Sequence, residues 1–488
     1  MARKTWYSES LALFTDLYEL TMAYGYWKMG MLGEEAVFHL SFRKWPFQGG
    51  FAIAAGLETL INYLESFSFS SSDIDYLHSL TDPKKKPLFE KDFLNYLKNL
   101  KFTCDVDALP EGTLVFPYEP LIRIKGPILQ AQILESVVLN IINFQTLIAT
   151  KAARVVLAAS GDSVVEFGMR RAQGIDGAIS ASRAAFIGGC DSTSHLLAGK
   201  LFGIPVRGTQ AHSWIMAFEK EIDSFRAFAT VMPHNTLFLI DTYDTLEGAR
   251  NAVRVADALK GEDFELLGVR LDSGDLNHLS IEVRKILDAA GYPHAKIMAS
   301  NELDEHLIRD LKHQGSKVSI WGVGTNLVTG KDQPALDGVY KLSAVKTVKG
   351  VWEDKIKISE QTAKVTIPGF LQVRRYYQEG HFLGDAIFDE REPPLENPNL
   401  INIFDENIRK EFTKKTAFQD LLVPIYRKGK LVYEPPTLKE IQKKSKQDLS
   451  QLPPAMKRFI NPQPYFVSLD KNLHDKRIML IEKMRRRT

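Results

Sequence analysis

Six short runs of this chain end in side chains that can do chemistry. "SVVEFGMRRAQG" supplies Glu166, Phe167, Arg170 and Arg171, and "IPVRGTQAHS" supplies Thr209, His212 and Ser213. "TLFLIDTYDT" ends in Asp241 and Asp244, and "LLGVRLDSGD" in Arg270, Asp272, Ser273 and Asp275. "KIMASN" ends in Ser300 and Asn301, and "VSIWGVGT" in Gly322, Gly324 and Thr325. An arginine fork binds two oxygens of a carboxylate or phosphate at once. Glycine-rich turns leading into helices offer backbone N–H groups to an anion. An aromatic beside an arginine can hold a flat ring that bears a carboxylate. A histidine acts as base or nucleophile when a neighbour orients it, and Asp241 is a candidate for that neighbour. Together these types describe a small anionic substrate, a phosphate and a reactive imidazole.

Each residue also has an ordinary explanation. A strand-end Asp often caps the next helix, as Asp272 with Ser273 could. The paired arginines can be solvated, Phe167 can be core, and glycines in "GVGT" can serve only the turn. The convergence at six run ends is what carries the reading. No Walker loop is present and no G-x-G-x-x-G follows a strand, so a nucleotide must be held in another way.

The runs are short and largely apolar, with helical stretches such as "TLEGARNAVRVADALKG" between most of them. A βα repeat of this size implies a parallel sheet covered on both faces, with its site at the carboxyl ends of the strands. Six strands, or seven with "YKLSAVKTV", predict an irregular β/α barrel, and a doubly wound open sheet is the competing arrangement. Before them, "PILQAQILESVVLNIINFQTLIATKAARV" reads as one long helix starting at Pro127, with Ile133, Val137, Ile141, Phe144 and Ile148 on one face. After about Gly350 the pattern turns to antiparallel strands and a charged helical end whose arginine cluster reads as a solvated face. The expected division is an N-terminal α+β domain over 1–126, the catalytic barrel over 127–350, and a C-terminal domain over 351–488 that packs with the first.

Lys plus Arg number 62 and Asp plus Glu 60, so the formal charge of +2 gives no nucleic-acid footprint. Two cysteines among 488 residues make neither a disulfide framework nor a zinc cluster. The amino-terminal "MARKTWYSESLALFTDLYELT" lacks the apolar core of a signal peptide, and "SVVLNIINF" is interrupted by Asn140 and Asn143. The expectation is a cytoplasmic protein with no membrane span.

The motifs "DLYELTMAYGYW", "EFGMRRAQGIDGA", "GTQAHS", "DTYDT", "GVRLDSGDL", "ASNELDE" and "GVGTNLVT", with the long helix, resemble those of the nicotinate phosphoribosyltransferases, in that family's order, over Asp16 to Lys346. The resemblance implies nicotinate and phosphoribosyl pyrophosphate as substrates, and nicotinate mononucleotide and pyrophosphate as products. It also implies ATP hydrolysis coupled through a phosphorylated histidine, with Mg²⁺ accompanying the phosphates. His212 is similar to that histidine, oriented by Asp241. Phe167 would stack on the pyridine ring, and Tyr18 on its other face from a neighbouring subunit of a homodimer. Arg270 would meet the nicotinate carboxylate. Arg170, Ser300 and the turn of Gly322, Gly324 and Thr325 would hold the phosphoribosyl phosphate. Asp272 would bind ribose hydroxyls or Mg²⁺, or support charge at the anomeric carbon. Thr209, Ser273 and Asn301 complete the expected substrate-binding set, and no metal ligand is assigned. Gln210 departs from the pattern, because relatives usually carry an apolar residue there; Met169 sits where the family varies. The alternatives are a nicotinamide phosphoribosyltransferase and a non-catalytic nucleotide-binding barrel. Ser192, Thr193 and Ser194 favour nicotinate over the amide, and the intact set of His212, Asp241, Arg270 and Asp272 argues against the silent barrel.

Overall fold

The computed structural model describes residues 10–347, 349–360, 365–394, 397–413 and 415–486. Residues 1–9, where the amino-terminal reading begins, and the last two residues of the arginine-rich end lie outside them. The chain forms two compact units. One comprises Leu147–Pro334 and Leu438–Lys446. The other is discontinuous: the chain up to Thr146, Ala335–Thr437, and the part from Gln447 onward. The units therefore part at 146/147, 334/335, 437/438 and 446/447, where the sequence reading places divisions at 126/127 and 350/351.

The first unit is built on six parallel strands: β1 (Ser163–Glu166), β2 (Ser192–Thr193), β3 (Thr236–Leu239), β4 (Leu266–Leu271), β5 (Lys296–Ala299) and β6 (Ile320–Val323). Their order is β2-β1-β6-β5-β4-β3, so the sheet curls as a half-barrel whose edges are β2 and β3. Five of the six expected runs supply these strands. The sixth does not: in "IPVRGT" only Val206 makes an isolated bridge, to Thr193, and the strand is the shorter, polar Ser192–Thr193. Apolar strand residues such as Val164, Phe238, Val269 and Ile297 are fully buried, as expected of strands covered on both faces. Between β3 and β4 lies helix Thr245–Ala258, and between β4 and β5 helix Leu276–Ala289.

The discontinuous unit has a seven-stranded antiparallel sheet in which Glu35–Phe42 lies between Gly338–Lys346 and Ile122–Pro127. Tyr340–Lys346 of "YKLSAVKTV" therefore belongs to this sheet and adds no barrel strand; the run's last residue, Val348, lies outside the described residues. The strand's mixture of buried and half-exposed residues, without the continuous burial of the half-barrel strands, suits an antiparallel sheet. A second, six-stranded sheet is formed entirely after Phe370, and in it only Val467–Asp470 runs parallel to a neighbour, His381–Asp389. Helices Leu17–Lys28 and Lys91–Lys98 pack Leu20, Ala23, Phe93 and Leu97 against Leu129 and Ile133. This is the expected α+β partner of the barrel, assembled from both ends of the sequence.

The expected single helix after Pro127 is two, Ile128–Gln132 and Glu135–Ala159, with a turn at Ile133 and Leu134. By length and composition the stretch Ile128–Ala159 could cross a membrane, but 61% of its most apolar window is buried in the protein, as in a core helix. Cys104 and Cys190 are both free and buried.

Candidate active site

The carboxyl ends of β3, β4 and β5 form one hydrogen-bonded cluster. Asp241, the second residue after β3, is buried, and its Oδ2 accepts from Asp272 N and from Ser273 Oγ, each at 2.7 Å. This fixes the turn after β4. Asp272 in turn accepts from Ser300 Oγ through Oδ1, and its Oδ2 lies 3.7 Å from His212 Nε2. Asp272 is therefore not a helix cap. The caps are Asp244, which accepts from Glu247 N, and Asp275, which accepts from Asn277 N and His278 N.

His212 is the first residue of the short helix His212–Met216 and is partly open to solvent, with 39% of its side chain exposed. Its Nδ1 is 3.1 Å from Thr242 Oγ1. The neighbour at Nδ1 is thus Thr242, and among the described residues no contact joins Asp241 to His212: Asp241 Oδ2 is taken by Asp272 and Ser273, and its buried Oδ1 has no partner. Nothing in the sequence distinguished Thr242 beyond its place directly after Asp241.

Arg270 lies at the end of β4. Its Nη1 donates to Thr209 Oγ1 and, at 3.2 Å, to the Gln210 carbonyl, while its buried Nε has no partner in the protein. Burial pushes the guanidinium down from its ordinary value, Arg170 adds to this, and Asp272 and Asp241 oppose it. A cation held at such a cost is suited to an anionic partner.

The turn after β1 is organised by Glu166. Its buried carboxylate accepts from Gly168 N, from Ser182 Oγ at 2.8 Å and from Thr193 Oγ1 at 2.6 Å. Ser182 Oγ also lies 3.2 Å from His195 Nδ1. Phe167 is stationed over Gly322 of β6. A Cβ at Gly322 would stand 2.7 Å from the Phe167 ring, so the ring fits only because that residue has no side chain. Gly168 packs as closely on Val328. Met169, Arg170 and Arg171 are exposed on the same turn. Gly324 and Thr325 begin the four-residue helix Thr325–Val328. Asn301 is exposed and has φ +88°, a left-handed conformation found at functional turns. Beneath Phe167 and Thr209 the half-barrel holds a cavity of about 480 Å³, walled by Val165, Leu237, Met298 and Ile320.

The structure thus brings together His212, Asp241, Arg270, Asp272, Ser273, Ser300 and Thr209, and places Phe167 over Gly322 on the same sheet. Tyr18 belongs to the other unit, on helix Leu17–Lys28. Burial and the nearby Glu135 and Glu19 raise the Tyr18 phenol above its ordinary value. Among the described residues no group of three or more His, Cys, Asp or Glu is arranged to hold a metal ion.

Comparison with known proteins covers most of the chain. Residues 13–143 match the N-terminal domain of the nicotinate phosphoribosyltransferases, residues 163–388 match the family itself, and residues 372–477 match its C-terminal domain. The nicotinate phosphoribosyltransferase of Bacillus subtilis (strain 168) is 42% identical over 486 residues, covering 98% of this chain and 97% of the relative. That of Caenorhabditis elegans is 36% identical, covering 95% and 92%. The crystal structure of the human nicotinic acid phosphoribosyltransferase superposes with a TM-score of 0.82 at 30% identity, over 96% of this chain and 100% of the other.

Proposed function

Because the chain belongs to the nicotinate phosphoribosyltransferase family, we propose that it joins nicotinate to phosphoribosyl pyrophosphate, giving nicotinate mononucleotide and pyrophosphate, and couples this to ATP hydrolysis through His212. The observation that carries the reading is the convergence of Arg270, Asp272 and His212 on one rim of the half-barrel.

In this reading the nicotinate carboxylate meets the desolvated Arg270, whose positive charge lacks a carboxylate of its own within salt-bridge distance among the described residues. The pyridine ring lies on Phe167. Ring nitrogen attacks the anomeric carbon as the bond to pyrophosphate breaks. Asp272, fixed by Ser300 and by the Asp241 brace on its own N–H, supplies negative charge for the carbocation character that develops. Arg170, Ser300 and the Gly322–Gly324–Thr325 turn hold the phosphate.

The coupling uses the other nitrogen of His212. With the proton on Nδ1 and donated to Thr242, Nε2 presents a lone pair. That lone pair forms the bond to the γ-phosphorus of ATP while the bond to ADP breaks; water later takes the phosphoryl group. Mg²⁺ fits this rim as an ion that arrives with the phosphates, because it is commonly held by one or two carboxylates plus phosphate oxygens. Asp272 is the residue that would hold it, and when bound it neutralises phosphate charge. A homodimer in which Tyr18 of a second copy covers the ring completes the proposal. It is supported by the exposed apolar residues Leu11, Phe14, Leu17 and Met22 beside Tyr18.

The deciding experiment offers purified protein phosphoribosyl pyrophosphate and Mg²⁺ with nicotinate, nicotinamide or quinolinate, each with and without ATP. Nicotinate mononucleotide formed from nicotinate and stimulated by ATP is the expected result. Turnover of nicotinamide alone, or of no base, would overturn it.

A further inference from the structure

The half-barrel is open between β2 and β3, and one segment fills the opening. On the β2 side it bonds through its backbone: Thr193 N donates to Pro205 O, and Arg207 N donates to Thr193 O, each at 3.0 Å. On the β3 side there is no backbone ladder. The neighbouring amide, Ile240 N, points inward to Arg270 O at 3.2 Å, so Leu239 N points outward from the sheet edge. It donates at 2.8 Å to the side-chain oxygen Oε1 of Gln210. An unpaired, fully buried N–H there would cost about 1–3 kcal/mol, so this one side chain stands in for a missing strand.

The same segment then delivers the site. Thr209 and the Gln210 carbonyl receive Arg270, and two residues later His212 meets Thr242, three residues beyond Leu239. The pairs Gln210–Leu239 and His212–Thr242 are successive rungs between the loop and the β3 strand. The donor at Leu239 N also dictates which way the Gln210 amide is turned, leaving Nε2 buried without a partner. That arrangement is maintained for the oxygen alone.

We propose that Gln210 is a positioning residue that latches the His212 loop to the open edge of the half-barrel and sets the reach of the imidazole. The inference rests on the phosphohistidine reading above. Without the Gln210 oxygen the loop keeps its β2 contacts but loses its first rung to β3, and the imbalance falls on His212. A displacement of about 1 Å at a reacting nitrogen costs on the order of a hundredfold in rate.

The test compares the parent with Gln210→Met, which has similar volume and no acceptor, and Gln210→Glu, which keeps an oxygen at the same place. Two quantities are read on full-length protein. One is hydrogen exchange at the Leu239 amide; the other is acid-labile phosphate transferred to the protein from γ-labelled ATP. The expected result is that Gln210→Met loses protection at Leu239 and acquires phosphate ten- to a hundredfold more slowly, while Gln210→Glu restores both to within about threefold. If Gln210→Met loses protection at Leu239 yet is phosphorylated like the parent, the latch does not position His212 and the proposal is overturned. A Gln210→Glu variant as slow as Gln210→Met overturns it equally. A Gln210→Met chain that does not fold leaves the comparison to Gln210→Glu, which must protect Leu239 and accept phosphate like the parent. A parent that acquires no phosphate defeats the phosphohistidine reading itself, and this inference with it.

Discussion

His212 Nδ1 lies 3.1 Å from Thr242 Oγ1, and among the described residues no carboxylate bonds that nitrogen. A neutral hydroxyl fixes the ring's direction without pulling the proton toward itself. The opposite nitrogen faces Asp272 Oδ2 at 3.7 Å, beyond hydrogen-bond distance. The ring is thus held by one neighbour at Nδ1 and left without a hydrogen bond at Nε2.

Thr242→Val removes the hydroxyl and keeps the shape. The ATP-stimulated rate is expected to fall about tenfold or more, and Thr242→Ser should recover most of it. Steady-state kinetics with and without ATP check this. A Thr242→Val enzyme with full ATP stimulation would show that the hydroxyl does not orient His212.

Arg270→Lys replaces a planar fork with a point charge. Loss of a charge-assisted hydrogen bond is worth about 1.5–3 kcal/mol. The KM for nicotinate should therefore rise roughly ten- to a hundredfold, with a smaller effect on the KM for phosphoribosyl pyrophosphate. Equal effects on both would remove Arg270 from the carboxylate subsite.

Gly322→Ala puts a methyl group where the Phe167 ring now lies, 2.7 Å away. The ring or the strand must yield, and overpacking of this kind costs about 1–3 kcal/mol. A lower melting temperature together with a raised KM for nicotinate is expected. Unchanged nicotinate binding would mean that Phe167 does not form the floor under the ring.

At the start of the helix that follows β5, Glu305 is buried between Lys151 Nζ and Arg154 Nε, each at 2.8 Å. Burial alone would raise its carboxyl, but Lys151 and Arg154 outweigh it and hold the group below its ordinary value of 4.5. A carboxylate depressed in the folded state contributes its stability above about pH 4.5, and loses it as pH falls through the lower folded value. Glu305→Gln leaves two buried cations short of a partner, at a cost of about 3–5 kcal/mol. Denaturant melts at pH 7 should show that difference, and it should shrink below pH 4.5. A gap that stayed constant down to pH 3 would contradict the assignment.

The strand-end grammar made the site legible because apolar strands covered on both faces leave polar residues only at their ends. Arg270, Asp272 and Ser300 are legible that way; His212 follows a run that makes only an isolated bridge. Ser192–Thr193 escaped because two polar residues have no hydrophobic period. "YKLSAVKTV" reads as a further barrel strand because its sequence does not name its partner, which lies at Glu35–Phe42. Asp241 directs one oxygen, Oδ2, to Asp272 and Ser273, a direction that closeness to a histidine in sequence does not reveal. Thr242 and Gln210 could not be ranked in advance: each acts through a single atom whose direction only the folded chain determines. Glu166 stood among the candidates, but its grip on Gly168, Ser182 and Thr193 joins residues 27 positions apart.

The antiparallel pairing of Glu35 with Lys346, strengthened by the 2.8 Å contact of their side chains, spans 311 positions. A chain emerging from the ribosome therefore carries Glu35–Phe42 with one side unmatched until nearly three quarters of it has been made. Within the contiguous stretch Leu147–Pro334 even the pairing of Ser163 with Ile320 closes a shorter loop. Biogenesis is accordingly staggered: the six strands of the half-barrel can pair while the older amino-terminal strand still waits for its neighbour, and Leu438–Lys446 joins their unit only later. In that interval a nascent chain has an unmatched β-strand to shield from other chains.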